Sequence, residues 1–252
     1  MSSKLPNFIV VGAQKSGTTS IYNYLRQHPE VYLPDRKECW FLSEAKPGKI
    51  PGDVTEKDMV RTIEQYRKLF SKVKNEKAIG EVSPDYLFYH KNTIKNIKKY
   101  FPKPEKVKII IILRNPVDRA YSAYYHLRRE GREKLPFEDA IKKEKERIKK
   151  GAGLGWRYTQ MGFYYEQVKD FIENFPETRV YLFEDFKKDP AGIMKDILKF
   201  IGVNPDFEID YSVKYNISGE VRSRALRTIT EAVFRSKTIQ KIAPAIYRIA
   251  GE

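Results

Sequence analysis

Cysteine is nearly absent from this 252-residue chain: Cys39 stands alone, which excludes a disulfide framework. Histidine is almost as scarce. His28, His90 and His126 lie too far apart in sequence for a closely spaced zinc cluster, so no metal site is expected. Long apolar runs are missing too. The longest is Ile109-Ile110-Ile111-Ile112-Leu113, against the roughly 20 residues a spanning helix needs. Residues 1–12 run straight into a strand-like stretch and lack the layout of a signal peptide, so a cytoplasmic protein is expected. Negative charge is in deficit, with 33 Asp plus Glu against 48 Lys plus Arg, a net charge of +15. What is present is ample core material. An apolar share of 41% with 13% aromatics excludes a chain too polar to fold, and the length suits one domain. The surplus cations then need a partner: nucleic acid, an anionic membrane face or a small polyanion.

The pattern along the chain alternates strands and helices. Phe8-Ile9-Val10-Val11 is a short β-branched run of the kind that forms a buried parallel strand. Gly12 to Gly17 forms a loop, and Ile21, Tyr22 and Leu25 mark the face of the following helix. Further strands are predicted at 31–33, 78–82, 109–113 and 179–183. Helices are predicted around Val60 to Phe70, around Ile94 to Phe101, from Pro116 to about Arg129, over 136–150, around Val168 to Phe175 and around Ile193 to Ile201. Asn115-Pro116 supplies an N-cap and a first helical residue. Such alternation predicts an α/β domain with a parallel sheet covered on both faces. No linker or repeat divides residues 1–252, so a single domain is expected, with a basic helical segment at about 221–252.

The sharpest local feature is Gly12-Ala13-Gln14-Lys15-Ser16-Gly17-Thr18-Thr19. A Gly-x4-Gly loop between strand and helix turns backbone N–H groups inward at a helix N-terminus, where an anion binds. A nucleoside-triphosphate loop places lysine directly after the second glycine. Here that place is Thr18, and the lysine is Lys15. The central strand ends in Arg114, where a magnesium-binding aspartate would otherwise stand. These departures point to a phosphorylated nucleotide held by protein cations and not by a metal.

Gln14-Lys15-Ser16-Gly17-Thr18-Thr19, followed by Leu25 and His28-Pro29, resembles the 5′-phosphosulfate loop of sulfotransferases. The stretch from Leu113 to Tyr124, with Arg114-Asn115-Pro116 and Ser122, is similar to their 3′-phosphate motif. The resemblance implies a P-loop-like three-layer α/β/α fold with a central parallel sheet. It also implies use of 3′-phosphoadenosine 5′-phosphosulfate (PAPS) as sulfuryl donor, with the bisphosphate PAP as product. Carried over residue by residue, Lys15 faces the leaving bridging oxygen, and Ser16, Gly17, Thr18, Thr19 and Ser20 hold the phosphosulfate. Arg114 and Ser122 take the 3′-phosphate. Ser218-Gly219-Glu220-Val221-Arg222 looks like the late loop that closes over the nucleotide, giving roles to Gly219 and Arg222.

Lys37-Glu38-Cys39-Trp40-Phe41 resembles the Lys-Glu-x-x-Phe-Phe segment of the carbohydrate-type branch, which includes the heparan sulfate enzymes. This implies that Glu38 is the catalytic base, with His90 and His126 as rivals. Glu81-Val82-Ser83-Pro84-Asp85-Tyr86 is similar to the segment bordering the acceptor cleft. Gly162-Phe163-Tyr164-Tyr165-Glu166-Gln167 looks like the family's Gly-x-Tyr-x-x-Gln segment. Lys37, Phe41, Tyr86 and Tyr164 are therefore the expected acceptor contacts, for a carbohydrate or glycolipid hydroxyl. Val82 replaces a lysine frequent in heparan-type members, which counts against a heparan-like acceptor. Two other readings stay open: a kinase-like protein using ATP and magnesium, and a basic module docking on membrane or nucleic acid. The nucleotide accounts for part of the charge without nucleic acid. The tail from Lys214 onward carries eight Lys/Arg and three Glu, enough for peripheral contact with an anionic membrane.

Overall fold

A computed structural model describes residues 4–213. Five strands, β1 (Phe8–Gly12), β2 (Val31–Tyr32), β3 (Ala78–Val82), β4 (Lys108–Leu113) and β5 (Thr178–Leu182), form one sheet in the order β2-β3-β1-β4-β5. Every neighbouring pair is parallel. The helices are α1 (Thr18–Leu25), α2 (Ile63–Lys68), α3 (His90–Tyr100), α4 (Pro116–Arg129), α5 (Phe137–Lys149), α6 (Tyr164–Asn174), α7 (Phe183–Lys188) and α8 (Pro190–Ile201).

The uninterrupted apolar strands have a direct cause, since each buries both faces. Phe8 and Val10 of β1 and Ile110 and Ile112 of β4 face α1 and α8, packing with Ile21, Leu25, Met194 and Ile197. Their neighbours Ile9, Val11, Ile109 and Ile111 face the other layer, with Tyr66 of α2, Ile97 of α3 and Phe171 of α6. Ile109 to Ile112 are all 0% exposed, and burying each contributes about 1.5–3 kcal/mol. The result is three layers, helices on both sides of a parallel sheet, as the sequence predicts. A smaller apolar cluster joins α4 to α5 through Ala123, Leu127, Ala140 and Tyr158.

Several boundaries differ from the periodicity. α2 starts only at Ile63, because Thr62 caps it and Gln65 returns the contact, so Val60 stays outside the helix. Ile172 of α6 is 53% exposed, although its spacing places it with Phe171. Phe183 opens α7 and does not extend β5, a helix that the apolar run 180–183 conceals. Asn115 caps α4 as expected, accepting from the amides of Val117 and Asp118 at 2.9 and 3.3 Å.

The order of the strands positions the site. β1 lies in the middle; the chain builds β2 and β3 on one side and then β4 and β5 on the other. The direction reverses between β1 and β4, so a crevice opens at their carboxyl ends. The loop after Gly12 and the residue Arg114 after β4 both emerge there.

Candidate active site

One cleft gathers Gln14, Lys15, Gly17, Thr18, Thr19 and Ser20 from the first loop and α1, Lys37 and Glu38 from the loop after β2, and Arg114, Ser122 and His126 from the end of β4 and α4. Pro84 and Phe183 complete its wall. Local backbone geometry explains the first loop. Gly17 sits at the N-cap of α1 with φ 89°, a left-handed conformation that glycine adopts without penalty. A Cβ there would lie 3.0 Å from the Phe183 ring. The first two amides of α1, those of Thr18 and Thr19, lack intrahelical partners at the positive end of the helix dipole, whereas the Ser20 amide donates to the Gly17 carbonyl at 3.0 Å.

Lys15 protrudes from the same loop at φ 68°. Its pKa is lowered to about 8, chiefly by burial and next by the nearby Arg129. Arg114 donates from Nη1 to the Lys15 carbonyl at 3.2 Å, and its guanidinium lies 4.8 Å above the centre of the Phe183 ring. The Tyr164 hydroxyl donates to the Arg114 carbonyl at 3.1 Å. The two cations are thus bound into one frame across strands β1 and β4. Ser122, two turns into α4, lines the same cleft.

From the loop after β2, Lys37 Nζ reaches to 2.5 Å from Glu38 Oε1 and 3.3 Å from Thr19 Oγ1. Glu38 has φ 62°, and its amide donates to the Val82 carbonyl at 3.1 Å. The rival bases separate clearly. His90 is held outside this cleft by Asp170, with Nδ1 2.6 Å from its Oδ2. His126 lines the cleft, but burial and then the charge of Lys15 lower its pKa to about 3, which makes it a very weak base.

Four of the expected site residues do not line the cleft. Ser16 is fully buried and its amide bonds the Ala13 carbonyl at 3.3 Å, so it braces the loop and does not line the cleft. Phe41 stacks on Tyr66 with ring centres 4.6 Å apart in the core beneath the sheet. Tyr86 is 0% exposed, because its hydroxyl is drawn into the core by the Glu81 carboxylate at 2.6 Å. Tyr164 lines a separate apolar groove with Tyr165 and Val168. Gly219, Arg222 and the rest of the expected closing loop lie outside the described residues, as does the basic segment 221–252. Gln14 and Pro84 lie in the motifs quoted from the sequence without a role of their own, and Phe183 was not anticipated. Phe183 could have been found by noting that it directly follows β5, the strand adjacent to β4, at the edge where ligands bind.

The set fits a nucleotide carrying anions at both ends. The first turn of α1 and Lys15 enter the cleft from the β1 side and Arg114 with Ser122 from β4 and α4, joined by the Arg114–Lys15 hydrogen bond. Among the described residues no cluster of His, Cys, Asp and Glu could hold a metal ion, and no helix is long and apolar enough to cross a membrane.

Comparison with known proteins gives the family. Human bifunctional heparan sulfate N-deacetylase/N-sulfotransferase 3 is 28% identical over 84% of this chain, which corresponds to 24% of the human protein. The membrane-associated sulfotransferase kil1 of Dictyostelium discoideum is 35% identical over 48% of this chain and 23% of its own length. The chain thus spans about a quarter of the length of these curated relatives. The crystal structure of a sulfotransferase from Alicyclobacillus acidocaldarius superposes with a TM-score of 0.77 at 39% identity, covering 92% of this chain and 93% of the other. Residues 5–241 match the sulfotransferase domain family, and the chain belongs to that family.

Proposed function

We propose that the chain transfers the sulfuryl group to a hydroxyl of a carbohydrate or glycolipid acceptor, with Glu38 as the base and Lys15 stabilising the leaving phosphate. The observation carrying this reading is the composition of the cleft. Glu38 is the one carboxylate among the residues that line it with Lys15, while His90 is outside and His126 is too weak a base. PAPS supplies an activated sulfur whose bond to the 5′-phosphate oxygen breaks as the bond to the acceptor oxygen forms. Glu38 takes the acceptor proton, which makes that oxygen a better nucleophile. Lys15 places a positive charge where negative charge develops on the departing bridging oxygen. Thr18, Thr19, Ser20 and the amides of the α1 turn hold the phosphosulfate end, while Arg114 and Ser122 hold the 3′-phosphate. Gly219 and Arg222 would close over it.

Lys37, paired with Glu38 and beside Thr19, sits between base and donor loop. There it orients the acceptor side of the cleft. The carbohydrate preference rests on Glu38 at the base position and on the heparan sulfate N-sulfotransferase named among the relatives. Incubation with radiolabelled PAPS and a panel of glycans, glycolipids, phenols and fatty alcohols tests it. Transfer to a glycan or glycolipid hydroxyl is the expected result; transfer confined to phenols, or to glycan amines, overturns it.

A second reading concerns location. The basic tail from Lys214 onward, together with a relative that is membrane-associated by name, supports peripheral contact with anionic lipid. Loss of binding to phosphatidylserine vesicles on deleting residues 236–252 would support it, and absence of vesicle binding at low salt would reject it.

A further inference from the structure

The segment Glu81 to Tyr86, expected to border the acceptor, does something else. Glu81 ends β3 only 2% exposed, and its carboxylate receives four hydrogen bonds. Oε1 accepts from Cys39 Sγ at 2.8 Å, from Ser83 Oγ at 2.8 Å and from Tyr86 OH at 2.6 Å. Oε2 accepts from Tyr66 OH at 2.5 Å. Burial, with the neighbouring carboxylate, pushes the Cys39 thiol and the Tyr66 hydroxyl up from their ordinary values, so both keep their protons and remain donors.

Two of the donors are also acceptors from backbone. Ser83 Oγ takes the Cys39 amide at 3.3 Å, and Tyr86 OH takes the Leu42 amide at 3.2 Å. Each forms a relay from a loop amide to Glu81, and the Cys39 thiol makes a third link. The relays grip the loop at residues 39 and 42, immediately after Glu38. The Glu38 amide itself is bound to the Val82 carbonyl one residue beyond Glu81. The gripped loop has an unusual backbone: Glu38 and Trp40 both have positive φ, 62° and 65°, a conformation that non-glycine residues hold only when the surroundings over-determine it.

We propose that Glu81 is the positioning residue for the catalytic base. Its buried carboxylate, acting through Ser83, Tyr86 and Cys39, fixes the strained loop that presents Glu38 to the acceptor. It touches neither donor nor acceptor. The inference rests on Glu38 being the base. It explains why a carboxylate stands in a core otherwise closed by Phe41, Tyr66 and Phe70: an apolar residue of equal size would pack there but would take the acceptor away from all four donors.

The test uses the full chain with Glu81→Gln, Ser83→Ala and Tyr66→Phe, and with Glu38→Gln alone and combined with Glu81→Gln. Turnover is measured with radiolabelled PAPS and whichever panel acceptor the wild type sulfates fastest. PAP affinity is measured by calorimetry, and amide exchange over residues 38–42 by mass spectrometry. Misplacing a reacting group by about 1 Å costs about 10²-fold. Glu81→Gln is therefore expected to lower kcat by about that factor, with PAP affinity and acceptor KM within about twofold and faster exchange over residues 38–42. Added to Glu38→Gln, it should cost nothing further, because the group it positions is gone. Wild-type kcat in Glu81→Gln overturns the inference, as does an equal loss in the Glu38→Gln background. If Glu81→Gln does not fold, Ser83→Ala and Tyr66→Phe decide it, each lowering kcat several-fold without changing PAP affinity. A failure of the base assignment looks different: Glu38→Gln itself then keeps near-wild-type turnover.

Discussion

The two sides of the cleft are built by different means. The donor side, with Lys15, Thr18, Thr19 and Arg114, stands on the carboxyl ends of β1 and β4 and on the first turn of α1. Its positioning is a consequence of strand order and helix geometry, and its main device is backbone. The base side is a loop without regular structure, residues 33–44, held to the sheet by side chains from β3, α2 and the turn at Ser83. An anion can be gripped by amides and a helix end that nearly any sequence would present. In the proposed mechanism a proton is taken at one point, which requires one atom to be fixed, and the buried polar contacts of Glu81 are the proposed means.

This contrast separates affinity from rate. The largest expected effect is on the base side: Glu38→Gln should reduce kcat by about 10³-fold, within the range ordinary for a lost general base. Its affinity for PAP should stay within about twofold, since no nucleotide contact is removed. Measuring kcat with labelled donor and PAP affinity by calorimetry checks both. Equal losses in rate and affinity would join the two sides that the structure separates.

Lys15→Ala comes next. Removing the charge opposite the leaving oxygen should lower kcat by about 10²–10³-fold, and it should also weaken PAP binding, unlike Glu38→Gln. Lys15 gives a pH signature as well. Its pKa is lowered to about 8, so kcat/KM for the donor should fall as pH rises through about 8 and the ammonium loses its proton. Stability runs the other way. The folded state binds its proton less tightly than the unfolded chain, so the penalty of burying the charge is present below pH 8 and relieved as pH rises toward the ordinary lysine value. Thermal melts across pH 7–10 in Lys15→Ala should lack the part of the rise that the wild type shows.

The donor side was largely legible in the sequence and the base side was not. Gly12 to Thr19 and Arg114-Asn115-Pro116 are contiguous, and each motif carries its own geometry: a glycine at positive φ, a cap, a strand end. Glu38 was legible only as a residue type in a short resemblance. What holds it comes from Glu81, Tyr66 and Ser83, which are 43, 28 and 45 residues away along the chain. Period-2 and period-3.6 patterns report which face is apolar, and a buried carboxylate among aromatics leaves no trace in them. The same limit explains Phe41 and Tyr86. Their motif positions are beside the cleft in sequence, but the four-donor carboxylate turns one inward, and stacking on Tyr66 buries the other.

Gly17→Ala probes the donor side's backbone alone. The new Cβ must tolerate φ 89° and would sit 3.0 Å from Phe183, strain of about 1–2 kcal/mol. PAP affinity should drop about tenfold as the loop shifts to relieve it, with a smaller change in kcat at saturating donor. A reversed pattern, with affinity kept and kcat lost, would mean that the loop sets chemistry more than binding.

The smallest expected effect is at the seam. Lys37 reaches Glu38 and Thr19 at once, so it is the side chain that touches both halves. The pair is partly open to solvent, at 17% and 35% side-chain exposure, which limits its contribution to stability to about 0–1 kcal/mol. Lys37→Met should therefore leave the melting temperature within a few degrees. Its kinetic effect should be several-fold and shared between donor KM and kcat, because one cation serves Thr19 on the donor loop and Glu38 on the base loop. In a cycle with Glu38→Gln the kcat part should shrink while the donor KM part remains. If both parts vanish together, Lys37 acts only through the base, and the seam belongs wholly to the acceptor side.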